Sequence, residues 1–497
     1  MAKSNGNYTY GGMAIPSGEA KYSVIRWGWN GLNRTDKIDT GQLTDCSGIT
    51  IDPPYIYPSL KPHKLTTYAE PISIHGFGDN LFVIYRDSGK IKIDCIKKNS
   101  VVYTGVMGSA KGSGADFAPR SMVQFNVASN VENIVDAEYV RKILIFPDSY
   151  SIDFNITSDF TPAYLGDTYP DLMLASVYGS RVFGVDENLV YASSYNDYAD
   201  WDLDTADEYS EANAWVSMSQ SNVKADGVFT AISTYDNHVV LFKKDFMQLV
   251  YNNKNPFRVV DVGSWGCDNA YSVVECGGIL YFASPDAVYS FGGGTPREIS
   301  RKLGIKSFAG ASLGSYDGRL FMCCGGKIYT YKDGIWSDSG ECASDVVCFA
   351  TVSYGIAALC KNGDIIFLDW DKDDETAPSQ GWDEEYGSSD GGEWWFETDL
   401  MAAGKLDVRR VKKLSLLCEL ASGAEVMVYI LKDGEKFNPD TSLLAGSVSG
   451  EGQVLLRAMI RSCSAYMHRL RIAGRGYAKI YAAELQISWG GDLYKEG

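Results

Sequence analysis

The chain has 497 residues and carries 63 Asp+Glu against 45 Lys+Arg, a formal net charge of −18. So acidic a chain is poorly suited to wrapping nucleic acid by neutralising phosphates, and its length exceeds what one ordinary compact core fills. The excess is uneven, because residues 401–497 hold 14 Lys+Arg against 10 Asp+Glu and are mildly basic. The 11 cysteines are odd in number and include no C-x-x-C pair. Several, such as Cys323, Cys324, Cys348 and Cys360, stand in apolar stretches. The expectation is therefore small buried hydrophobes in a reducing cytosol, not a disulfide framework. Neither an apolar signal core at the N-terminus nor any run long enough for a membrane span is present, so a soluble chain without a membrane span is expected.

Residues 1–70 read as an extended, irregular arm. It has one short strand candidate at 22–27, and Pro53, Pro54, Pro58 and Pro62 exclude helix and central strand alike. From Pro71 to about residue 370 the chain repeats one pattern: an apolar strand, a tight polar turn, a second apolar strand and a third ending in Tyr or Phe. It is clearest at 231–251, 271–291 and 313–331, where Asp236-Asn237, Gly277-Gly278 and Asp317-Gly318 supply two-residue hairpin turns. Marking each hairpin by the residue before its turn gives Phe77, Tyr139, Tyr178, Tyr235, Cys276, Tyr316 and Tyr354, at intervals of 38 to 62 residues. A four-stranded propeller blade needs about forty residues. Seven hairpins predict a seven-bladed β-propeller, or a six-bladed one if Tyr139, with poor turn chemistry after it, belongs to an insertion. A β-sandwich with many hairpins is the alternative.

Residues 371–404 read as a polar connector ending near Trp394, Trp395 and Phe396. From 405 to 497 a second β unit follows, with strands at 411–420, 425–431, 453–459, 467–472 and 479–489. About 85 residues of antiparallel strand suggest a small sandwich. The fold class expected is thus all-β, a propeller followed by a C-terminal antiparallel β-sandwich.

Little in the chain nominates chemistry. His63, His75, His238 and His468 stand in separate segments, and no nucleophile elbow, phosphate loop or metal-ligand spacing occurs. Gly292-Gly293-Gly294 follows a strand but precedes Thr-Pro-Arg, and reads as an inter-strand loop. The acidic insertion near 196–225 places Asp200, Asp202, Asp204, Glu208 and Glu211 at positions 1, 3, 5, 9 and 12 of a calcium-loop frame. Thr205 stands where that frame needs Gly, so a solvated acidic loop is the default. Paired carboxylates at a propeller axis could run glycoside hydrolysis, yet no pair stands out among so many. Neither a catalytic residue nor a cofactor is expected.

The order of features from Leu174 onward resembles the tail hub, or packaged-DNA stabilisation, proteins of short-tailed bacteriophages. The residues concerned are Ser176 to Arg181, Tyr191 to Asn196 with Trp201, Asp226 to Ile232, Val239 to Tyr251, and the blade from Gly266 through Tyr271 and Ile279 to Ala287. In that family a propeller precedes a terminal sandwich, resembled here by 411–420 and 469–489. The arm from Gly31 through Gly41 to Pro58 and Pro62 is similar to the opening of many phage tail proteins. The acidic insertion and the connector depart from the family. The resemblance implies a structural, non-catalytic virion protein assembled in the bacterial cytoplasm. It implies a homo-oligomeric ring of six copies that extends the portal and adaptor channel, retains and conducts double-stranded DNA, and mounts tail fibres. An acidic wall lets DNA slide without being trapped. Arg409, Arg410, Arg469, Arg471 and Arg475 in the basic module are candidate docking residues, the alternative being ordinary exposed strand charges. The rivals are a free-standing propeller that binds carbohydrate or protein, and a propeller hydrolase.

Overall fold

A computed structural model describes residues 8–10, 23–39, 41–97, 101–108, 118–128, 139–167, 169–203, 211–217, 227–251, 254–371, 393–399 and 408–489. Among them the helical elements are two 3₁₀ turns, Ala270–Ser272 and Arg301–Leu303. Seven four-stranded antiparallel sheets follow one another as blades 1 to 7. Their innermost strands are Pro71–Phe77, Ser121–Ala128, Leu174–Tyr178, Phe229–Tyr235, Val273–Cys276, Ser312–Tyr316 and Val346–Val352.

The ring follows from strands that bury both faces and so read as unbroken apolar runs. In blade 1, Phe82 and Ile84 pack with Ile143 and Ile145 of blade 2, while Leu81 and Val83 point the other way onto Ala357 and Leu359 of blade 7. Separate apolar clusters join blades 2–3, 3–4, 4–5 and 6–7 in the same manner, and blades 5–6 share theirs with the C-terminal module. The tight turns supply the backbone this needs: Asp317 and Gly318 have φ of 48° and 66°, and Gly277 and Gly278 have 59° and 76°. The chain is a seven-bladed β-propeller with an appended β-sandwich.

Blade 7 takes its fourth, outermost strand from the other end of the chain. His63–Thr67 pairs antiparallel with Asp364–Trp370, Thr67 opposite Asp364 and His63 opposite Phe367. Lys64 Nζ and Thr67 Oγ1 each lie 2.6 Å from Asp364 Oδ1. The expectation of an irregular arm is corrected here. Ile49–Asp52 and Tyr55–Pro58 form a hairpin on the first sandwich sheet, with Pro53 and Pro54 in its turn, and Leu43–Ser47 edges the second. Strands of four or five residues leave too short a pattern to read, and the prolines sit only where no ladder donor is required.

The first sandwich sheet runs Tyr8–Tyr10, Ser23–Arg26, Ala478–Trp489, Arg409–Leu420, Gly452–Ala465; the second runs Leu43–Ser47, Trp394–Thr398, His468–Arg475, Glu425–Lys432, Leu443–Ser449. Trp394–Thr398, expected in the connector, is thus a central strand, while 372–392 and 400–407 lie outside the described residues. Leu443–Ser449 went unpredicted because its LLAGSVS sequence alternates weakly. Tyr139 is not a turn residue. It opens the second strand of blade 2 opposite Ala128, and the loop between them lies outside the described residues, so blade 2 is a blade and the count is seven.

The two modules share one core around residues 27–56. Trp29, Leu32, Leu43 and Ile51 pack with Leu313 and Trp336 of the propeller and with Leu414 and Ile472 of the sandwich. The Arg34 guanidinium spans the seam, 2.8 Å from the buried Asp338 carboxylate of blade 6 and 2.6 Å from Asp45. The Leu32 N–H donates to Trp336 O at 3.0 Å and the Ile51 N–H to Ser337 Oγ at 2.9 Å.

At the junction of blades 7 and 1, a Cβ on Gly76 would stand 1.9 Å from the Thr351 carbonyl oxygen. Gly76→Ala is expected to lower unfolding stability by about 2–3 kcal/mol through overpacking. Gly294→Ala, where nothing lies within 4 Å, is expected to change it by no more than about 0.5 kcal/mol. Urea unfolding of the two variants checks the contrast.

Candidate functional site

Residues before the inner strands of blades 2, 3 and 5, the first residues of the inner strand of blade 4, and the loops after the second strands of blades 2 and 3 border a cavity of about 700 Å³ beside the axis. Five carboxylates line it, from Asp167, Asp171, Asp186, Glu187 and Asp268, together with Met173, Phe229 and Thr230. Arg120 also lines it and is held by a buried ion pair, its Nε 2.8 Å from Asp148 Oδ2 with both side chains 1% exposed. A mouth of this composition attracts cations and repels phosphate.

Beside this mouth the axis is filled. Asn269 Oδ1 accepts from the Tyr271 N–H at 2.8 Å and sets the 3₁₀ turn before blade 5. From there the Tyr271 hydroxyl accepts from the Arg120 N–H of blade 2 at 3.1 Å, and its ring packs against the cluster between blades 7 and 1. Blades 2 and 5 are not neighbours, so these contacts cross the ring. Burial pushes the Tyr271 phenol well above its ordinary value. Close by, His75 Nε2 lies 3.1 Å from Ser73 Oγ. Burial first and the Arg120 charge second bring its imidazole down to about 3, so it stays neutral.

Of the calcium-frame residues, Asp204 and Glu208 lie outside the described residues. Asp200 Oδ1 accepts from the Asp202 N–H at 3.0 Å, and Glu211 pairs with Lys254 at 2.6 Å. Among the described residues no group of three His, Cys, Asp or Glu side chains could hold a metal ion. The acidic stretch also contains Trp215–Val216, the outer strand of blade 3.

The five sandwich arginines are placed very differently. Arg409 is 1% exposed within the sandwich, so it offers no surface for docking. Arg469 and Arg471 both bind Glu397, at 3.0 and 2.9 Å, and Arg471 is clasped between the Trp395 and Phe437 rings at 3.8 and 4.1 Å from their centroids. Arg475 pairs with Glu393 at 3.2 Å on the surface, and Arg410 is exposed with Ser464 Oγ 3.3 Å from its Nε. Only Arg410 and Arg475 are open to solvent. Strand alternation places 469, 471 and 475 on the outer face of the second sheet, but it does not reveal the glutamates opposite them. The axial carboxylates were missed too. They occupy strand-end loops of different blades, and only aligning the blades on a common register would have grouped them.

All eleven cysteines are free, nine of them buried. No helix among the described residues is long and apolar enough to cross a membrane. No known family profile matches the chain, and no curated protein matches it. Among solved structures it is similar to the WD40 β-propeller domain of Doa1, at 11% identity and a TM-score of 0.38 over 64% of this chain and 97% of that one. It is also similar to BamB from Moraxella catarrhalis, at 12% identity and a TM-score of 0.35 over 60% and 85%. The extracellular domain of a hybrid two-component system from B. thetaiotaomicron aligns at 9% identity and a TM-score of 0.38, over 68% and 44%.

His468 offers a check on the sandwich interior. It is 1% exposed, and burial, set against the Asp433 charge and reinforced by Arg409 and Lys432, lowers its imidazole to about 4. The unfolded chain takes up this proton below its ordinary value near 6.5 and the folded chain does not. Stability is therefore lost as pH falls from about 6.5 toward 4, at about 1.4 kcal/mol per pH unit. His75 acts with the same sign, and the raised carboxyls of Asp338 and Asp399 with the opposite one. The measurement is thus the difference between wild type and His468→Asn. Unfolding free energies from urea titrations at pH 7 and pH 5 are expected to differ less in the variant, by about 2 kcal/mol.

Proposed function

We propose that this chain is a non-catalytic structural protein of a short-tailed bacteriophage tail. Six copies form a ring that extends the portal and adaptor channel as a hub or nozzle, retains and conducts genomic DNA, and carries tail fibres. The observation that carries this is mechanical. One N-terminal segment is woven through the sandwich, the seam and blade 7, so propeller and sandwich form a single stiff body suited to a load-bearing ring.

Other features are consistent with it. Residues that bear the family resemblance also hold the propeller together. Arg181, 1% exposed, donates to the carbonyls of Ser193, Glu211 and Asn213. A Cβ on Gly266 would meet the Lys244 carbonyl oxygen at 1.9 Å, and Tyr271 crosses the axis. With that axis filled, DNA passes between copies and not through any one propeller. The net charge of −18 keeps such a wall from gripping phosphate. A second reading, a free-standing propeller that binds a ligand, is favoured by the acidic axial cavity.

The test is negative-stain microscopy of the purified chain alone and with portal and adaptor rings, alongside a duplex gel shift. Six-fold rings seated on the adaptor are expected, with duplex affinity below the usual non-specific range of about 10⁻⁴–10⁻⁶ M. A chain that stays monomeric and never joins the adaptor, or that binds duplex tightly with a steep salt dependence, would overturn the proposal.

A further inference from the structure

We propose that the outer face of the sandwich's edge strand docks, head to tail, on the acidic axial mouth of a second copy of this chain.

Gly452–Ala465 is the last strand of the first sandwich sheet, and among the described residues it pairs only with Arg409–Leu420. Strand alternation sends Val454, Leu456, Ala458 and Ile460 toward the shared core. Leu455, Arg457, Met459 and Arg461 face outward and are exposed. Met459 is 76% exposed, more than any other large hydrophobic residue among those described, and Leu455 is 44% exposed. The neighbouring strand continues the patch, with Lys413 opposite Met459 and Leu417 opposite Leu455. Arg457, Arg461, Lys412 and Lys413 have no carboxylate partner among the described residues, so free positive charge collects on this face.

An edge strand can carry Arg or Lys simply to deter pairing with another sheet. That role accounts for the charges but not for the exposed Met459 and Leu455 between them. Arg and Met are enriched at protein interfaces, where Lys is depleted. Duplex DNA, the other partner a basic face takes, is disfavoured by those apolar groups and by the net charge of −18.

The complementary face is on the same chain. The axial mouth holds Asp186, Glu187 and Asp268, none of them in an ion pair among the described residues, together with Met173 at 41% exposure. Carboxylates beside an exposed methionine thus match arginines beside an exposed methionine. Within one copy Arg457 and Arg461 reach no carboxylate, so a second copy supplies the match. Because the two patches differ, the contact is heterologous and repeats from copy to copy. Its closure into a ring rests on the function proposed above; the pairwise contact stands for any number of copies.

Sedimentation velocity of the full chain tests it. Wild type is expected to self-associate with a Kd below about 100 µM in about 20 mM salt, and about tenfold or more weakly in about 500 mM salt. Arg457→Glu with Arg461→Glu makes the sandwich face acidic, and Asp167→Lys with Glu187→Lys makes the mouth basic. Each variant alone is expected to weaken association by about tenfold or more, since like charges then oppose. An equimolar mixture of the two restores it, because both contacts again join opposite charges. Melting temperatures confirm the folds, and the single reversals Arg457→Glu and Glu187→Lys replace any double variant that fails to fold. A wild type that stays monomeric at low salt, either variant associating like wild type, or a mixture no stronger than its parts would each overturn the proposal. Tight duplex binding that is lost in Arg457→Glu with Arg461→Glu would assign the face to DNA and overturn it too. Six-fold rings that persist in both variants would refute these faces and leave the ring standing. A wild type that shows the pairwise contact but never closes a ring would do the reverse.

Discussion

A propeller ring has to be closed, and here the closure joins the two ends of a 300-residue repeat through hydrogen bonds between His63–Thr67 and Asp364–Trp370. The same N-terminal segment has by then contributed strands to both sheets of the sandwich. Opening the seventh blade therefore strains the seam, and loosening the seam pulls on the blade. Arg34 stands at the centre of this coupling. Its partner Asp338 is fully buried on the outer strand of blade 6, and its other partner Asp45 belongs to the sandwich edge. A buried charge left without its counter-ion costs about 3–5 kcal/mol, so the pair fixes the register of one module on the other.

The rest of the molecule distributes charge around this rigid frame. Blade interfaces are apolar on both faces, which forces the acidic excess out to the loops. Seven-fold arrangement then gathers several of those loops at one mouth, where Asp167, Asp171, Asp186, Glu187 and Asp268 meet. Beside them, Tyr271 and Arg120 fill the axis from opposite sides. The propeller thus carries an acidic depression beside a crossing of buried side chains, and such a mouth repels phosphate. Three basic side chains of the sandwich are spent internally: Glu397 neutralises Arg469 and Arg471, and Arg409 is enclosed.

Much of this architecture is local and therefore legible. Asp317-Gly318 and Gly277-Gly278 adopt the positive φ that their dipeptides announce, and the apolar runs they separate become paired strands. Blade 2 was harder to place because its first two strands, ending at Ala128 and starting at Tyr139, are not joined by a two-residue turn, leaving Tyr139 to imitate a turn position. In the sandwich, 411–420 and 479–489 alternate strongly and were found, whereas Leu443–Ser449 was not, since Gly446 faces Leu456 and Ala458 where a large apolar residue would have marked the pattern.

By itself, the sequence determined the β class, the hairpin repeat near forty residues, the presence of a second β module and the acidic surface. Each of these follows from side-chain period, turn chemistry or charge, which act over a few residues. Only the tertiary structure decided that residues 63–67 complete the last blade, that Arg409 is buried while Arg410 is not, and that Tyr271 reaches across to Arg120. Those partners stand up to about 300 residues apart along the chain. No local pattern encodes such pairings, because they arise from the closure of the ring and the folding of the arm across the seam.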